Sequence, residues 1–363
     1  MNLGWLINLH ERGHPLNKKK LTKMFSIGVI LLFIGLVLYL VFGNQELGDV
    51  WAVLGSLNKA DLALCVACYA GFVLTEGIGL WAFLRMEGFK TRISAAIHFS
   101  FAGIFYANIT PSSTGGQPMQ VYLMTKEGVS GGVATSALTA RYFFNQLAIV
   151  VLTAALWIAF PAFVDAQLGS VIGLVALGWT VNMLAIPLVI LVMLNQRMVE
   201  KVAYWGIDLM VKMRLCKRPE HWKERAKATL DLFHGSLFHL VKKPWQLLWQ
   251  FLLSMAQVVC LMMVPALVYR ALGLSGTPWY HLLTVACMLF VSASYTPLPG
   301  ASGAQEGGFL LYFRGLMPEG TISIALLVWR FMTYYLCLIV GAADQLYVFI
   351  RKRLRKRNHR EEA

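Results

Sequence analysis

Six apolar segments of this chain are each long enough to cross a lipid bilayer as a helix. A spanning helix needs about 20 mostly apolar residues, because the hydrocarbon core is about 30 Å thick and a helix rises about 1.5 Å per residue. The predicted spans are residues 24–43, 60–84, 132–160, 169–194, 246–271 and 321–350. Since 58% of the 363 residues are hydrophobic and only 14% are charged, the sequence predicts an all-α polytopic membrane protein.

Two breaks rich in glycine and proline interrupt the apolar pattern. They read TPSSTGGQP at residues 110–118 and TPLPGASGAQEGG at residues 296–308. The apolar segments beside them, 118–125 and 281–296, are too short to cross the membrane. Backbone groups freed by proline and glycine cannot be left bare in lipid, so they must be buried in protein or line a water-filled cavity. We therefore predict two re-entrant, broken hairpins in addition to about six full spans.

The distribution of basic residues predicts the orientation of the chain. Lysine and arginine concentrate before the first span, beside the first break, in the polar stretch 195–245 and after the last span, whereas Lys59, Arg270 and Arg314 lie in the opposite loops. The positive-inside rule places the basic regions and both termini in the cytoplasm. The net charge of +14 is then explained without nucleic acid, and anionic lipid headgroups are the expected partners.

Charge also orients the two hairpins. Arg92 and Lys126 flank the first hairpin, so both of its ends are predicted to be cytoplasmic, whereas the second ends near Arg314 on the other side. Residues 60–160 and 246–350 then run in opposite orientations, which is an inverted-topology repeat. Such breaks in corresponding places of two halves indicate a transporter's substrate site.

The sequence divides into a membrane domain and two short flanks. Residues 1–23 and 351–363 are predicted as a cytoplasmic N-terminal segment and a basic cytoplasmic tail, and residues 24–350 as the membrane domain. The stretch 195–245 has apolar residues at helical spacing among basic ones, which is typical of helices lying in the membrane interface. The alternative is a linker with solvated charges.

Two arginines lie inside predicted spans, and the cost of burying them indicates a function. Arg141 follows Gln117 by the same number of positions as Arg330 follows Glu306. Each guanidinium can fork onto a phosphate or a carboxylate. The alternative is a structural ion pair, with Glu76 or Glu306 as the partner. Either carboxylate can instead carry a proton.

The breaks supply the remaining candidates for a substrate site. A helix that begins after a break offers an anion its N-terminus, glycines allow close approach to the backbone, and hydroxyls donate hydrogen bonds. The alternative is that the glycines permit close helix packing. The predicted substrate-binding residues are Ser112, Ser113, Thr114, Gly115, Gly116, Gln117, Arg141, Ser302, Gly303, Gln305, Glu306, Gly307 and Arg330.

The sequence gives little indication of a catalytic site. It has no P-loop motif and no clustered histidine and aspartate set, and we predict no catalytic residue, metal or cofactor. Cys65 and Cys68 form a CxxC motif inside an apolar segment, where they are predicted to be buried small hydrophobes. The open alternatives to a lipid transporter are a membrane-embedded transferase, a small-solute or ion transporter, and an assembly partner for a separate cytosolic synthase.

Four sequence strings resemble the membrane region of lysylphosphatidylglycerol synthases, a flippase-like family. They are NITPSSTGGQPMQVYLMTKEG at 108–128, PLPGASGAQEGGF at 297–309, TARYFFNQ from Thr139 and VWRF from Val328. The resemblance covers about residues 20–351. It implies a translocase of a bacterial plasma membrane for lysyl-phosphatidylglycerol, another anionic phospholipid or a polyprenyl phosphate, and with it resistance to cationic antimicrobial peptides.

The resemblance also bears on partners and enzymatic activity. Fused family members carry a cytosolic aminoacyltransferase domain, and no such domain follows the last predicted span in this sequence. We therefore expect no phosphatidylglycerol lysyltransferase activity from this chain alone. The resemblance implies a separate cytosolic lipid synthase as a partner, and a homodimer is a further expectation.

Overall fold

The computed structural model describes residues 55–213, 219–294 and 296–343, in which the chain is helical and forms no β-strand. The predicted span 24–43 and both terminal flanks lie outside these residues. The helices are α1 Lys59–Met86, α2 Ile93–Asn108, α3 Gly116–Lys126, α4 Gly131–Ala159, α5 Pro161–Leu168, α6 Ile172–Leu194, α7 Gln196–Lys212, α8 Pro219–Val241, α9 Pro244–Met262, α10 Val264–Ala271, α11 Trp279–Ala293, α12 Ala304–Tyr312 and α13 Glu319–Arg330.

The helical stretches that match the predicted spans have the length and apolar character needed to cross a membrane. They are Lys59–Met86, Gly131–Ala159, Pro161–Leu194, Pro244–Ala271 and Glu319–Ala343. Five of the six predicted spans are thereby confirmed as candidate membrane helices. α11 is apolar but shorter, as the sequence predicted.

The outer surface of the helix bundle is apolar. Leu177 and Leu188 of α6 are 63% and 61% exposed, whereas Asn182 on the same helix is 2% exposed. Asn182 accepts a hydrogen bond from Gln146 of α4, and its amide donates to the carbonyl of Val291 in α11 at 3.2 Å. A helix that is apolar towards the outside and polar towards its neighbours is typical of a membrane span.

One end of the bundle is closed by α8, and we call it the α8 end. Phe233 of α8 is buried in the same apolar cluster as Leu84 of α1 and Met124 of α3. Ser236 of α8 donates a hydrogen bond to Glu87 at the C-terminus of α1, at 2.7 Å. α1 and α3 therefore end here, α4 packs on α8, and α9 begins directly after α8. The packed α8 excludes a fully solvated linker in this stretch.

The opposite end, which we call the Arg270 end, gathers the other termini. Arg270 of α10 pairs with Asp61 at the start of α1, with 3.1 Å between Nη2 and Oδ1. Both residues and Trp279, the first residue of α11, line one cavity of about 370 Å³. Phe163 of α5 stacks on His281 in the first turn of α11. Gln167 of α5 donates to the carbonyl of Tyr312, the last residue of α12, at 3.0 Å. α11 thus begins, and α12 ends, at this end.

Candidate functional site

The two breaks share one local backbone conformation. Pro111–Ser113 and Pro299–Ala301 each form a single 3₁₀ turn, and the two residues after each proline have positive φ. The φ angles are 50° and 55° at Ser112 and Ser113, and 61° and 50° at Gly300 and Ala301. Three of these four are not glycine, and such left-handed residues are uncommon and concentrate at functional sites.

The two breaks also share a sequence pattern. The equal spacing from each break to its arginine did not reveal this pattern. PSSTGGQ at 111–117 and PGASGAQ at 299–305 share the pattern P-x-x-x-G-x-Q. This pattern places Gln117 opposite Gln305 and Pro118 opposite Glu306. The equal distances to Arg141 and Arg330 had paired Gln117 with Glu306. The shared pattern shifts that pairing by one residue.

The two breaks contact each other directly. The backbone N–H of Ser112 donates to the carbonyl of Pro297 at 3.2 Å, although the two residues are 185 positions apart. Beside them, the hydroxyl of Tyr334 donates to the carbonyl of Asn108 at 3.1 Å. Tyr334 belongs to a π-helical turn, Phe331–Tyr335, that directly follows Arg330. π-turns occur frequently at functional sites.

Arg141 lies at the centre of a closed polar cluster and is 2% exposed. Its Nε and Nη2 donate to one carboxylate oxygen of Glu76 at 3.2 and 2.9 Å. Nη1 donates to Gln250 and Ser254 at 3.1 Å each, and Nη2 donates to Gln257 at 2.6 Å. All three nitrogens of the guanidinium therefore have protein partners, which offsets much of the cost of its burial.

Arg330 makes a simpler contact. Its Nε and Nη2 each lie 2.8 Å from Oε1 of Glu306, and the side chains are 4% and 2% exposed. The guanidinium also lies 5.3 Å from the ring centroids of Trp329 and Tyr334. The other carboxylate oxygen of Glu306 accepts from the backbone N–H of Gly303 at 2.6 Å. Glu306 thus bridges Arg330 to the N-terminus of α12.

Two cavities lie on either side of the meeting point. The larger, of about 810 Å³, is lined by the first break together with Glu76 and Arg141, and the smaller, of about 250 Å³, is lined by the second break together with Arg330. Four residues line both cavities and form the wall between them. This shared wall consists of Ser113, Leu261, Met262 and Phe290.

The geometry can be compared with known proteins. A protein-family profile described as the lysylphosphatidylglycerol synthase TM region matches residues 25–341. The chain belongs to this family. Both breaks, both buried arginines and both cavities of this lysylphosphatidylglycerol synthase membrane region lie within the match. A UPF0104 membrane protein of Archaeoglobus fulgidus is 23% identical over 331 residues, which cover 87% of this chain and 95% of the relative.

The structure brings most of the predicted site residues to the cavities. Ser112, Ser113, Thr114, Gly116, Gln117 and Arg141 line the larger cavity, and Ser113, Gln305 and Arg330 line the smaller one. The remaining five line neither cavity. They are Gly115, Ser302, Gly303, Glu306 and Gly307. Glu306 nevertheless contacts Arg330, so it belongs to the same arrangement.

The cluster around Arg141 includes two residues that the sequence analysis did not single out. Gln250 and Ser254 recur with Gln257 on one face of α9, at a spacing of three to four residues. A polar stripe of this period in an otherwise apolar helix indicates a face that packs on a buried polar partner. That stripe was the available signal in the sequence.

Gly116 serves helix packing as much as access to the cavity. A Cβ atom at this position would lie 2.7 Å from the carbonyl oxygen of Gly103 in α2. We expect Gly116→Ala to push α3 away from α2 and to lower stability by about 1–3 kcal/mol, measured as a lower melting temperature in detergent. Gly131→Ala is the matched control, because nothing lies within 4 Å of its Cβ. Equal melting of both variants would contradict the packing role.

Proposed function

We propose that this protein is a lipid translocase, a flippase or scramblase that moves a phosphate-bearing lipid between the leaflets of the cell membrane. The observation that carries the proposal is the meeting of the two breaks between two cavities, each walled by a buried arginine with a carboxylate partner. Arginine matches the geometry of phosphate. An anionic or aminoacylated phospholipid, such as lysyl-phosphatidylglycerol, suits both this chemistry and the family description.

The proposed architecture is an inverted repeat with two re-entrant hairpins. The first hairpin, α2 and α3, ends at the α8 end, and the second, α11 and α12, begins and ends at the Arg270 end. These contacts support hairpins that enter from opposite faces and touch at their tips. We propose that the α8 end is cytoplasmic, because it gathers most of the described lysines and arginines. Of these 17 residues, six lie in α7 and α8, and six more lie at the helix ends and loops of the same end: Arg85, Lys90, Arg92, Lys126, Lys242 and Lys243. Both termini are then cytoplasmic as well.

In the proposed mechanism the headgroup passes from one cavity to the other while the acyl chains stay in lipid. Inverted-repeat transporters alternate access by rocking one half against the other around a fixed central site. The shared wall is mainly apolar, with Leu261, Met262 and Phe290, so it blocks a charged headgroup until the halves move. Arg141 and Arg330 contact the phosphate on the two sides of this wall. The sequence has no P-loop, so the proposed driving force is a lipid gradient, the membrane potential or protons.

Leaflet exchange in liposomes tests the function. The purified protein is reconstituted and supplied with labelled phosphatidylglycerol, lysyl-phosphatidylglycerol, phosphatidylethanolamine or a polyprenyl phosphate. We expect exchange of one or a few of these lipids above the rate in protein-free liposomes. We expect Arg141→Ala/Arg330→Ala to abolish it in the fraction that remains folded by size-exclusion chromatography. Absence of exchange for the whole panel, or full exchange by the double variant, would contradict the function or the site.

The family description suggests one partner. From the family resemblance alone we also propose a separate cytosolic lipid synthase that supplies the substrate, and its co-purification with this chain is the test.

A further inference from the structure

The two breaks differ in what occupies the N-terminus of the helix that follows. At the second break, Glu306 accepts the backbone N–H of Gly303 at 2.6 Å and holds Arg330 with its other oxygen at 2.8 Å. A helix N-terminus and an arginine are the groups that bind a phosphate in proteins. The carboxylate of Glu306 therefore fills the place that a lipid phosphate would take in the second half.

Among the residues that the structure describes, no carboxylate fills the corresponding place in the first half. The shared P-x-x-x-G-x-Q pattern puts Pro118 where the second half has Glu306. The N–H of Gly115 is taken by the hydroxyl of Thr110 at 2.9 Å. In the described part of the chain, the N–H groups of Gly116 and Gln117 have no hydrogen-bond partner. Both residues line the larger cavity.

An unpaired amide on the cavity wall points to a ligand at this position. Gln120 follows Gln117 on α3, is 7% exposed and lines the same cavity of about 810 Å³. Its side chain makes no hydrogen bond within the described residues, and its amide atoms are not fully enclosed, so they remain accessible from the cavity. Its methylene and amide atoms pack on Gly103, where a Cβ would collide with them. The amide is therefore held in place beside the N-terminus of α3, with donors that a phosphate oxygen can use.

We propose that the two halves are not equivalent: the lipid phosphate binds at the N-terminus of α3 with Gln120, and Glu306 substitutes for that phosphate in the second half. The inference rests on the proposed function and assigns its loading site to the larger cavity. One anion is bound at a time in the conformation described. A phosphate reaches the second site only when Glu306 leaves Gly303 and Arg330, so transfer between the halves requires that exchange.

Calorimetric titration of the purified chain in detergent tests the assignment. The probes are dihexanoyl-phosphatidylglycerol, a soluble phosphodiester lipid, and inorganic phosphate. We expect one equivalent of the lipid to bind the wild type. Gln120→Leu is expected to weaken binding by about 10- to 100-fold, the effect of losing a hydrogen bond to a charged group. Glu306→Gln is expected to raise the stoichiometry from one to two. The neutral amide leaves Arg330 without its anion, and its hydrogen bond from Gly303 is weaker than that of a carboxylate, so a phosphate can displace it.

A control variant and defined contrary results complete the binding test. Gln246→Leu makes the same change at a half-buried side chain that lines neither cavity and whose enclosed amide oxygen has no partner within the described residues. This variant should bind like the wild type. Unchanged binding by Gln120→Leu, two equivalents in the wild type, or no binding at all would overturn the inference. Equal affinity for inorganic phosphate would overturn the lipid assignment. If lipid moves in liposomes but the expected binding results are not obtained, the proposed function stands without the inference. If the expected binding results are obtained but no lipid moves, the proposed function fails.

Discussion

Arg330→Ala is expected to abolish lipid movement and to lower the stability of the folded chain by about 3–5 kcal/mol. The substitution leaves the carboxylate of Glu306, which is 2% exposed, without its cationic partner. A buried charge that loses its partner costs far more than the pair contributed. It also removes the only guanidinium among the described residues that line the smaller cavity. Melting temperature in detergent and leaflet exchange in liposomes measure the two effects.

A second variant separates stability from function. Glu306→Gln/Arg330→Gln removes both charges together, so no uncompensated ion remains, and the amide at position 306 can still accept from the N–H of Gly303. We expect this double variant to recover most of the lost melting temperature and none of the exchange. Lys223→Gln is the control, because the pair of Lys223 with Asp208 lies at the surface and such pairs contribute little.

Two results would contradict the roles assigned to Arg330. If the neutral double variant exchanges lipid at the wild-type rate, Arg330 serves the fold alone and does not bind the headgroup. If Arg330→Ala melts like the wild type, the buried pair does not stabilise the second break. Each result would remove one part of the role assigned to Arg330.

The sequence predicted the parts of this protein that follow from local rules. Apolar length marks the spans, because lipid imposes that length on any helix that crosses it. The breaks were visible because proline and glycine are rare inside apolar runs. Glu76 and Glu306 were named as partners for the buried arginines, since a charge inside a membrane needs one nearby. The structure pairs them as Arg141 with Glu76 and Arg330 with Glu306.

The parts that the sequence did not predict depend on tertiary contacts. Nothing local to α4 indicates that Arg141 reaches α9, because Gln250 and Ser254 are more than a hundred positions away. The direct contact between Ser112 and Pro297 likewise joins two distant turns. Glycine composition did not show whether a glycine lets a ligand approach the backbone or lets two helices pack closely. Gly116 lies both against the carbonyl of Gly103 and on the cavity wall. Spacing along the chain cannot separate those roles.

The two buried arginines are satisfied in different ways, which has a consequence for their function. Arg330 bonds one carboxylate and a carbonyl, so an incoming phosphate has to displace chiefly Glu306. Arg141 bonds one carboxylate and three neutral side chains. A phosphate can replace a neutral partner of Arg141 without separating it from Glu76. In the proposed mechanism Arg141 therefore keeps its ion pair during loading, whereas Arg330 has to exchange its own.

Arg141→Met is expected to be at least as destabilising as the loss of Arg330, by about 3–5 kcal/mol or more. Methionine fills a similar volume with no donor, so Glu76 loses its cation and Gln250, Ser254 and Gln257 lose a common hydrogen-bond donor. Unsatisfied buried polar groups add about 1–3 kcal/mol each where no other partner is found. Thermal unfolding in detergent measures the loss.

Arg141→Lys tests whether the cluster requires the planar, forked guanidinium or only a positive charge. Lysine keeps the positive charge beside Glu76, but a single ammonium cannot reproduce a planar group that donates in several fixed directions. We expect its melting temperature to lie between those of wild type and Arg141→Met, and its exchange to be reduced. Arg85→Met is the control, because Arg85 lies at the surface over Trp81, where such a contact contributes about 0.5–1 kcal/mol. A lysine variant as stable and active as wild type would show that charge alone holds this cluster.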